Sequence, residues 1–220
     1  GALSALLLDC ALWGALDPCT LRWIDPPPAA AIAEARARLG VLGAIDADGR
    51  PTAHGKAMAR LPLPPRLAHM LIAAGAHGWG RTAAEVAGLL GERGLGGNDP
   101  DLETRLRRWR SERGPRAEGA RKLARRWAGL VAGEATGDDI ASCLALAFPD
   151  RLAKRRGADG ADWISVGGRG FRLDPLSSLA REQWLAVAET QGMASGARIL
   201  SAAAIDEARV EALFGERLTA

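Results

Sequence analysis

The chain has 220 residues, of which 48% are hydrophobic and 25% are charged, and its formal net charge is +3. These proportions are typical of globular proteins and supply enough apolar residues for a core without disulfides or metal. Three cysteines (Cys10, Cys19 and Cys143) form no C-x-x-C pair, which argues against a zinc finger or a disulfide scaffold and favours a reducing compartment. No apolar run reaches the roughly 18 residues of a membrane span, and Leu3–Leu8 lacks the basic flank of a signal peptide.

The positive charge is concentrated in one segment. Residues 101–130 carry ten basic and four acidic side chains, a net charge of +6. Only three of the 29 basic residues are lysines, and the arginine guanidinium group can donate two hydrogen bonds to one phosphate. The pattern indicates a phosphate-binding surface, although a GC-rich genome would also produce an arginine-rich chain.

The first part of the chain has the outline of a winged helix. Apolar spacing predicts one helix over residues 3–13 and a second around Ile32–Leu39. The Asp/Gly turn within Ala44–Thr52 predicts two very short strands. A helix over His54–Leu61 follows, with Thr52 as its N-cap.

From Pro64 the pattern is helical almost throughout, with Thr82 as the expected N-cap of the second helix and a glycine-rich loop over Gly94–Pro100. The basic side chains of the last two helices lie outside the predicted apolar stripes, which predicts a basic outer face. The four stripes are Leu67, Leu71 and Ile72; Ala83, Val86, Ala87 and Leu90; Leu102, Leu106 and Trp109; and Leu123, Trp127 and Leu130. The basic residues off the last two stripes are Arg105, Arg107, Arg108, Arg110, Arg121, Lys122, Arg125 and Arg126.

The periodicity then changes to that of β-strands, before a last helix over Asp206–Phe214. The predicted fold class is therefore α+β, mostly α: a winged helix, a helical bundle and a segment of β-strands. We expect their boundaries at residues 1–62, 63–135 and 136–220. The predicted strands are Trp163–Val166, Phe171–Leu173, Gln183–Glu189 and Arg198–Ala203.

Three short motifs resemble chemical sites but lack the spacing or the residues that those sites require. Gly49–Ala57 resembles a phosphate-binding loop, but it has five residues between the glycines and lacks the magnesium-binding hydroxyl. Asp46–Gly49 lacks the remaining ligands of a calcium loop, and Asp206–Arg209 is one residue away from a DEAH box. His54, His69 and His77 have no metal-binding spacing. The sequence therefore predicts no catalytic residue, no metal site and no cofactor in this chain.

Several segments resemble the region that follows the motor of DEAH-box helicases, and more narrowly that of the bacterial HrpB-type branch. The resemblance runs from about residue 5 to residue 215. The segments that carry it are Trp23–Pro28, Leu39–Asp46, Thr52–Gly55, Leu61–Leu71, Leu89–Arg93, Asp101–Leu106, Ala147–Gly157, Gly168–Gly170 and Leu173–Pro175.

This resemblance implies a C-terminal portion of a bacterial, cytoplasmic ATP-dependent RNA helicase. In that family a winged helix leads into a helical "ratchet" domain and an OB-fold-like barrel, which we expect to be incomplete here. Two RecA-like motor domains, which bind ATP and magnesium, would precede residue 1 and would be partners of this region. The implied function is to form part of a channel for single-stranded RNA or DNA.

Six basic residues are the candidate nucleic-acid contacts. Arg105 and Arg108 are three residues apart on one helix, so we expect them to share an exposed face and to grip consecutive phosphates. The opposing interpretation is a solvated face balanced by nearby glutamates. Trp163 and Phe171 either stack on bases or fill the barrel core. The full set of candidates is Arg93, Arg105, Arg108, Lys154, Arg155 and Arg156.

Two other classes of function remain open from the residues alone. One is a free-standing winged-helix regulator of duplex DNA, although the helix over His54–Leu61 offers only Lys56 and Arg60 and no Asn or Gln to read adenine. The other is a protein-interaction scaffold that uses the outer helical faces. Binding to single-stranded RNA, to a DNA duplex or to neither would separate the three.

We predict that the isolated chain neither binds nor hydrolyses ATP, because Gly49–Ala57 lacks the spacing and the hydroxyl of a phosphate-binding loop. The measurement is phosphate release by the purified chain with and without single-stranded RNA. RNA-stimulated hydrolysis by a contaminant-free preparation would contradict the interpretation of this chain as an accessory region.

Overall fold

A computed structural model of the chain describes residues 2–12, 25, 27–131, 133, 136–193 and 195–218. The chain divides into two compact units, Gly1–Ile72 and Ala73–Ala220. The mostly helical α+β fold class is confirmed, with nine α-helices and a five-stranded barrel in the described residues. Trp13, which the sequence places on the first helix, and Trp23, Ile24 and Pro26 of the resembling segments lie outside those residues.

Three helices and the start of a fourth build the first unit: α1 (Ala2–Leu12), α2 (Ala29–Val41), α3 (Ala53–Ala59) and α4 (Pro65–Ala76). The predicted apolar face of α2 is buried, because its residues recur every three or four positions and so lie on one side of the helix. The core of this unit consists of Leu7, Leu8, Ile32, Ala35, Leu39, Leu42, Ala44, Met58 and Ala68.

The predicted pair of short strands is reduced to a single bridge between Ile45 and Pro51. Asp46 holds the turn, since its Oδ1 accepts hydrogen bonds from the backbone N–H groups of Asp48 and Arg50, both at 2.9 Å. This segment, which has the spacing of a partial calcium loop, is therefore a hairpin turn stabilised by an Asx-type contact.

Thr52 caps α3 as predicted. Its Oγ1 accepts a hydrogen bond from the Gly55 backbone N–H at 2.9 Å. Glycine is also required at position 55, because a Cβ there would lie 2.0 Å from the carbonyl oxygen of Ala44. The cap and the close approach together fix where α3 begins.

Four helices open the second unit: α5 (Gly80–Gly91), α6 (Leu102–Ser111), α7 (Pro115–Ala128) and α8 (Ile140–Ala147). The predicted stripe of α6 is confirmed, since Leu102, Leu106 and Trp109 are at most 1% exposed. The Trp109 ring lies against Gly88 of α5, where a Cβ would be 3.0 Å from the ring, and its Nε1 donates to the Ala117 carbonyl at 3.2 Å.

Two details predicted for these helices are wrong. Thr82 is not the N-cap of α5: the helix begins at Gly80, and the buried Thr82 hydroxyl donates to Asp138 Oδ1 at 2.9 Å. The stripe predicted for α7 is exposed in part, with Leu123 at 38% and Leu130 at 52%.

In α7 the buried positions are Ala117 and Ala124, seven residues and therefore two turns apart. The helix packs against α5, and small side chains permit that close contact while the larger Leu123 turns toward solvent. Apolar periodicity favours large side chains and so selected the wrong face.

The last part of the chain forms a closed barrel in the strand order β1-β2-β3-β5-β4. Neighbouring strands are antiparallel, except that β3 and β5 are parallel. The barrel core includes Trp163 and Phe171, each 1% exposed, so the suggestion that these rings stack on bases is wrong. The strands are β1 (Leu152–Arg156), β2 (Asp162–Ser165), β3 (Gly170–Arg172), β4 (Trp184–Gln191) and β5 (Ser195–Ala204), followed by α9 (Glu207–Leu218).

The first strand of the barrel was not predicted from sequence. Of β1 only Leu152 and Ala153 are buried, and the rest of the strand reads Lys-Arg-Arg, which has no apolar alternation. Nevertheless β1 pairs with β2 on one side and with β4 on the other, and thereby closes the ring.

Two histidines form a direct contact in the first unit. His54 Nε2 lies 2.8 Å from His69 Nδ1, with the rings edge to face. One nitrogen must donate and the other accept, so the bond is lost when both rings are protonated. Burial lowers the pKa of His54.

We predict that this pair makes the first unit less stable in mild acid. Because the pKa of His54 is lower in the folded chain than the ordinary histidine pKa of about 6.5, the unfolded chain binds more protons as the pH falls below that value. The free energy of unfolding therefore falls as the pH drops. The measurement is the Tm of the wild type and of His54→Gln at about pH 7.5 and about pH 5. The wild type should lose more Tm than the variant.

The matched control is His77→Gln, which removes an exposed histidine of the second unit and should keep the wild-type pH difference. An equal loss of Tm in the wild type and in His54→Gln would show that other groups cause the acid sensitivity.

Candidate nucleic-acid interface

The glycine-rich loop between α5 and α6 is held tightly on both sides. Gly96 has a φ of +68°, and a Cβ there would lie 2.0 Å from the carbonyl oxygen of Arg105. Its N–H donates to Glu112 Oε2 at 2.9 Å. At the end of the loop, the Pro100 carbonyl accepts a hydrogen bond from the Ala202 N–H of β5 at 2.8 Å. The loop therefore connects α6 to the barrel.

Arg105 is buried beneath this loop, so its predicted place on the exposed basic face is wrong. Its relative exposure is 6%, and its Nε donates to the Leu95 carbonyl at 3.2 Å. The physical reason is its position three residues after Leu102 and four before Trp109, which places it on the buried face of α6. The same spacing could have shown this from sequence.

Arg108 and Arg93 are exposed on either side of the same loop. A Cβ on Gly97 would lie 3.6 Å from Arg108 Nη1, so this guanidinium covers the loop. Next to Arg93, Arg116 of α7 forms an ion pair with Glu92 at 2.6 Å and donates to the Arg93 carbonyl. Arg105 and Arg108 thus both contact the glycine-rich loop, but they do not share a solvent-exposed face.

A cleft of about 560 Å³ opens where the loop and α5 face β4 and β5. Arg93 and Arg105 both line it, which brings together two of the predicted residues. Arg198 lines the opposite wall, and its Nη2 donates to Gln191 Oε1 at 3.0 Å. Burial lowers the pKa of Arg105, while the negative charge of Glu189 across the cleft acts in the other direction.

Sequence reasoning missed Arg198 and Glu189. Glu189 lies about 90 residues and Arg198 about 100 residues after the loop in the chain, and no local pattern marks either of them. Only the pairing of β4 with β5 and the contact of β5 with the loop bring them to the cleft.

The other three predicted residues lie on β1 of the barrel. Lys154 is exposed, and its Nζ lies 5.6 Å from the centroid of the Trp184 ring. Arg155 is half-buried and donates from Nη1 to the Ala180 carbonyl at 3.2 Å. Arg156 is exposed at a second, smaller cleft of about 340 Å³ that Arg172 also lines. Because strand side chains alternate, Lys154 and Arg156 share one face and Arg155 points to the other.

In the part of the chain that the structure describes, no three His, Cys, Asp or Glu side chains are grouped as metal ligands. Within those residues, no helix is both long and apolar enough to cross a bilayer. The polar side chains that line the cleft carry guanidinium, carboxylate, amide and hydroxyl groups, which suit hydrogen bonding and charge pairing.

The sequence is 39% identical over 206 residues to the ATP-dependent RNA helicase HrpB of Escherichia coli strain K12, covering 93% of this chain and 25% of that protein. The chain is therefore similar to one part of the HrpB helicase. It thus spans about a quarter of the length of that relative. No family model matches the chain.

Two solved structures of HrpB also match. The crystal structure of the E. coli DExH-box NTPase HrpB superposes with a TM-score of 0.82 at 34% identity, covering 98% of this chain and 26% of that one. The crystal structure of the E. coli DEAH/RHA helicase HrpB gives a TM-score of 0.79 at 33% identity, covering 94% and 26%. The HrpB-type resemblance seen in the sequence motifs is therefore confirmed in sequence and in fold.

We predict that Arg105→Ala lowers the free energy of unfolding by about 1–3 kcal/mol, because it leaves the Leu95 carbonyl without its donor and opens a cavity under the loop. Arg108→Ala on the same helix is the matched control, and its exposed side chain should cost little. Urea unfolding of both variants gives the comparison. Equal stabilities would mean that Arg105 has no structural role.

Proposed function

We propose that this chain is the nucleic-acid-binding accessory region of an ATP-dependent RNA helicase and that it forms part of the wall of a single-strand channel. The similarity to HrpB supports the helicase assignment. In this proposal ATP and magnesium act in RecA-like motor domains of the same polypeptide, and those domains are the partners of this region.

The observation that carries the proposal is the glycine-rich loop with arginines on both sides. Arg93 and Arg108 are exposed beside the loop, and the adjoining cleft has Arg198 on its far wall. Exposed arginines pair with backbone phosphates of any sequence, which suits a strand that must slide past. The net charge of +6 over residues 101–130 adds a longer-range attraction for the same ligand.

We also assign the three predicted domains within this proposal. The order helix, helix, turn, helix supports a winged helix over residues 1–62, and α5 to α7 support a ratchet within residues 63–135. The five-stranded barrel with order β1-β2-β3-β5-β4 supports an OB-fold-like domain over residues 136–220. Barrels of this kind often bind single strands, and Lys154 with Trp184 offers a charge and an aromatic ring for that purpose.

We predict that Arg93→Gln combined with Arg108→Gln weakens binding of single-stranded RNA and flattens its salt dependence. Each phosphate contact on a single strand contributes about −0.7 to the slope of log affinity against log salt, so losing two should flatten the slope by about 1 to 1.5. The measurement is fluorescence anisotropy with a labelled oligouridylate over a range of salt concentrations. The sequence analysis paired Arg108 with Arg105. Because Arg105 is buried, the variant combines Arg108 with Arg93, the other candidate that is exposed beside the loop.

The matched control is Arg81→Gln combined with Arg181→Gln, which removes the same charge from exposed positions of the same unit outside the cleft. This control should lower the affinity less and leave the slope closer to that of the wild type. Identical slopes for the two double variants would mean that the arginines beside the loop are merely solvated. Absence of RNA binding by the wild-type chain would contradict the proposed function itself.

A further inference from the structure

The guanidinium group of Arg105 forms part of the cleft wall and is only partly used by the protein. Its Nε is bonded to the Leu95 carbonyl, but within the described residues neither Nη1 nor Nη2 has a hydrogen bond or an ion pair. Neither Nη atom is among the fully buried side-chain atoms that lack a partner in the described residues, so both keep contact with the solvent that fills the cleft. Four N–H donors therefore remain for a ligand in the cleft.

The charges that line the cleft add up to a small positive value. Three arginines, Arg93, Arg105 and Arg198, contribute +3, and Asp174 and Glu189 contribute −2, which leaves +1. Each carboxylate accepts a hydrogen bond from the protein: Asp174 Oδ1 from the Leu176 N–H at 2.9 Å, and Glu189 Oε2 from the Ser201 hydroxyl at 3.2 Å. A ligand with a single negative charge matches this set.

We propose that the cleft holds one phosphodiester group of a single-stranded nucleic acid, with Arg105 as its buried anchor and Arg93 and Arg198 at the rim. This inference rests on the proposed function and specifies one contact within it. A guanidinium group donates two parallel hydrogen bonds to the two free oxygens of a phosphodiester. The volume of about 560 Å³ lies within the range of small-ligand sites and admits the nucleotide that carries the phosphate.

The two carboxylates disfavour more highly charged phosphates. A triphosphate would place several negative charges in the same cleft as Asp174 and Glu189, and like charges at short range repel each other strongly away from bulk water. The cleft is therefore selective for the monoanionic diester of a nucleic-acid backbone over free ATP.

The test uses the full chain and the dinucleotide uridylyl-uridine, which has one phosphodiester and no terminal phosphate. Nitrogen-15 NMR follows the Arg105 Nε–H signal during titration with the dinucleotide, with uridine and with ATP. The dinucleotide should shift this signal, uridine should not, and ATP should bind more weakly than the dinucleotide despite its larger charge. Tighter binding of ATP, or no shift of the Arg105 signal with any probe, would overturn the proposal.

Arg198→Gln provides a variant that leaves Arg105 and its hydrogen bond to Leu95 in place. Loss of one charge-assisted hydrogen bond should lower the affinity for the dinucleotide about tenfold. Arg181→Gln, exposed and outside the cleft, is the matched control and should bind like the wild type. Unchanged affinity in Arg198→Gln would overturn the proposal.

The two proposals fail in different ways. If the wild type binds oligouridylate with a steep salt dependence but the dinucleotide leaves the Arg105 signal unmoved, the phosphodiester site is wrong and the accessory function stands. If neither the oligomer nor the dinucleotide binds, both proposals are wrong.

Discussion

The packing of the glycine-rich loop between α6 and β5 is the constraint on which the cleft depends. Gly96 lies so close to the Arg105 carbonyl that no side chain fits, and Pro100 is hydrogen-bonded to Ala202 of the barrel. Because the loop is held from both sides, α6 and β5 keep one geometry. Arg105 is buried as a consequence of that geometry, and the cleft opens beside it.

The distribution of charge around the loop separates structural arginines from exposed ones. Arg116 and Arg110 are tied to Glu92 and Glu85 by ion pairs at 2.6 Å and 2.9 Å, which hold α7 and α6 against α5. Arg108 covers the loop without such a partner among the described residues. A basic segment is thus not a uniform binding surface, because some of its charges are engaged in packing the helices together.

The barrel shows the same division of roles. Its rings Trp163 and Phe171 fill the interior, and Trp163 Nε1 is bonded to the Gly160 carbonyl at 2.8 Å, so neither is available to a base. The half-buried Trp184 of β4 lies beside the exposed Lys154 of β1. A closed barrel must bury its inward-facing side chains, which leaves its binding chemistry to residues on the outer face and at strand ends.

The sequence by itself determined the fold class, most of the helices, four of the five strands and the HrpB-type resemblance. These depend on apolar periodicity and on short motifs, which are read from residues close together in the chain. The sequence did not determine which arginines face solvent or which face of α7 is buried. For Arg105 the spacing from Leu102 and Trp109 already indicates the buried face of α6, and the loop that precedes the helix completes its burial. For α7 packing alone decides, since Ala117 and Ala124 are buried where Leu123 is not. Tertiary structure alone placed Arg198 and Glu189 opposite Arg93, since the hydrogen bond from Ala202 to Pro100 joins β5 to a loop about 100 positions earlier in the chain. Likewise β1 has no recognisable strand pattern and becomes a strand because β2 and β4 supply its hydrogen-bond partners.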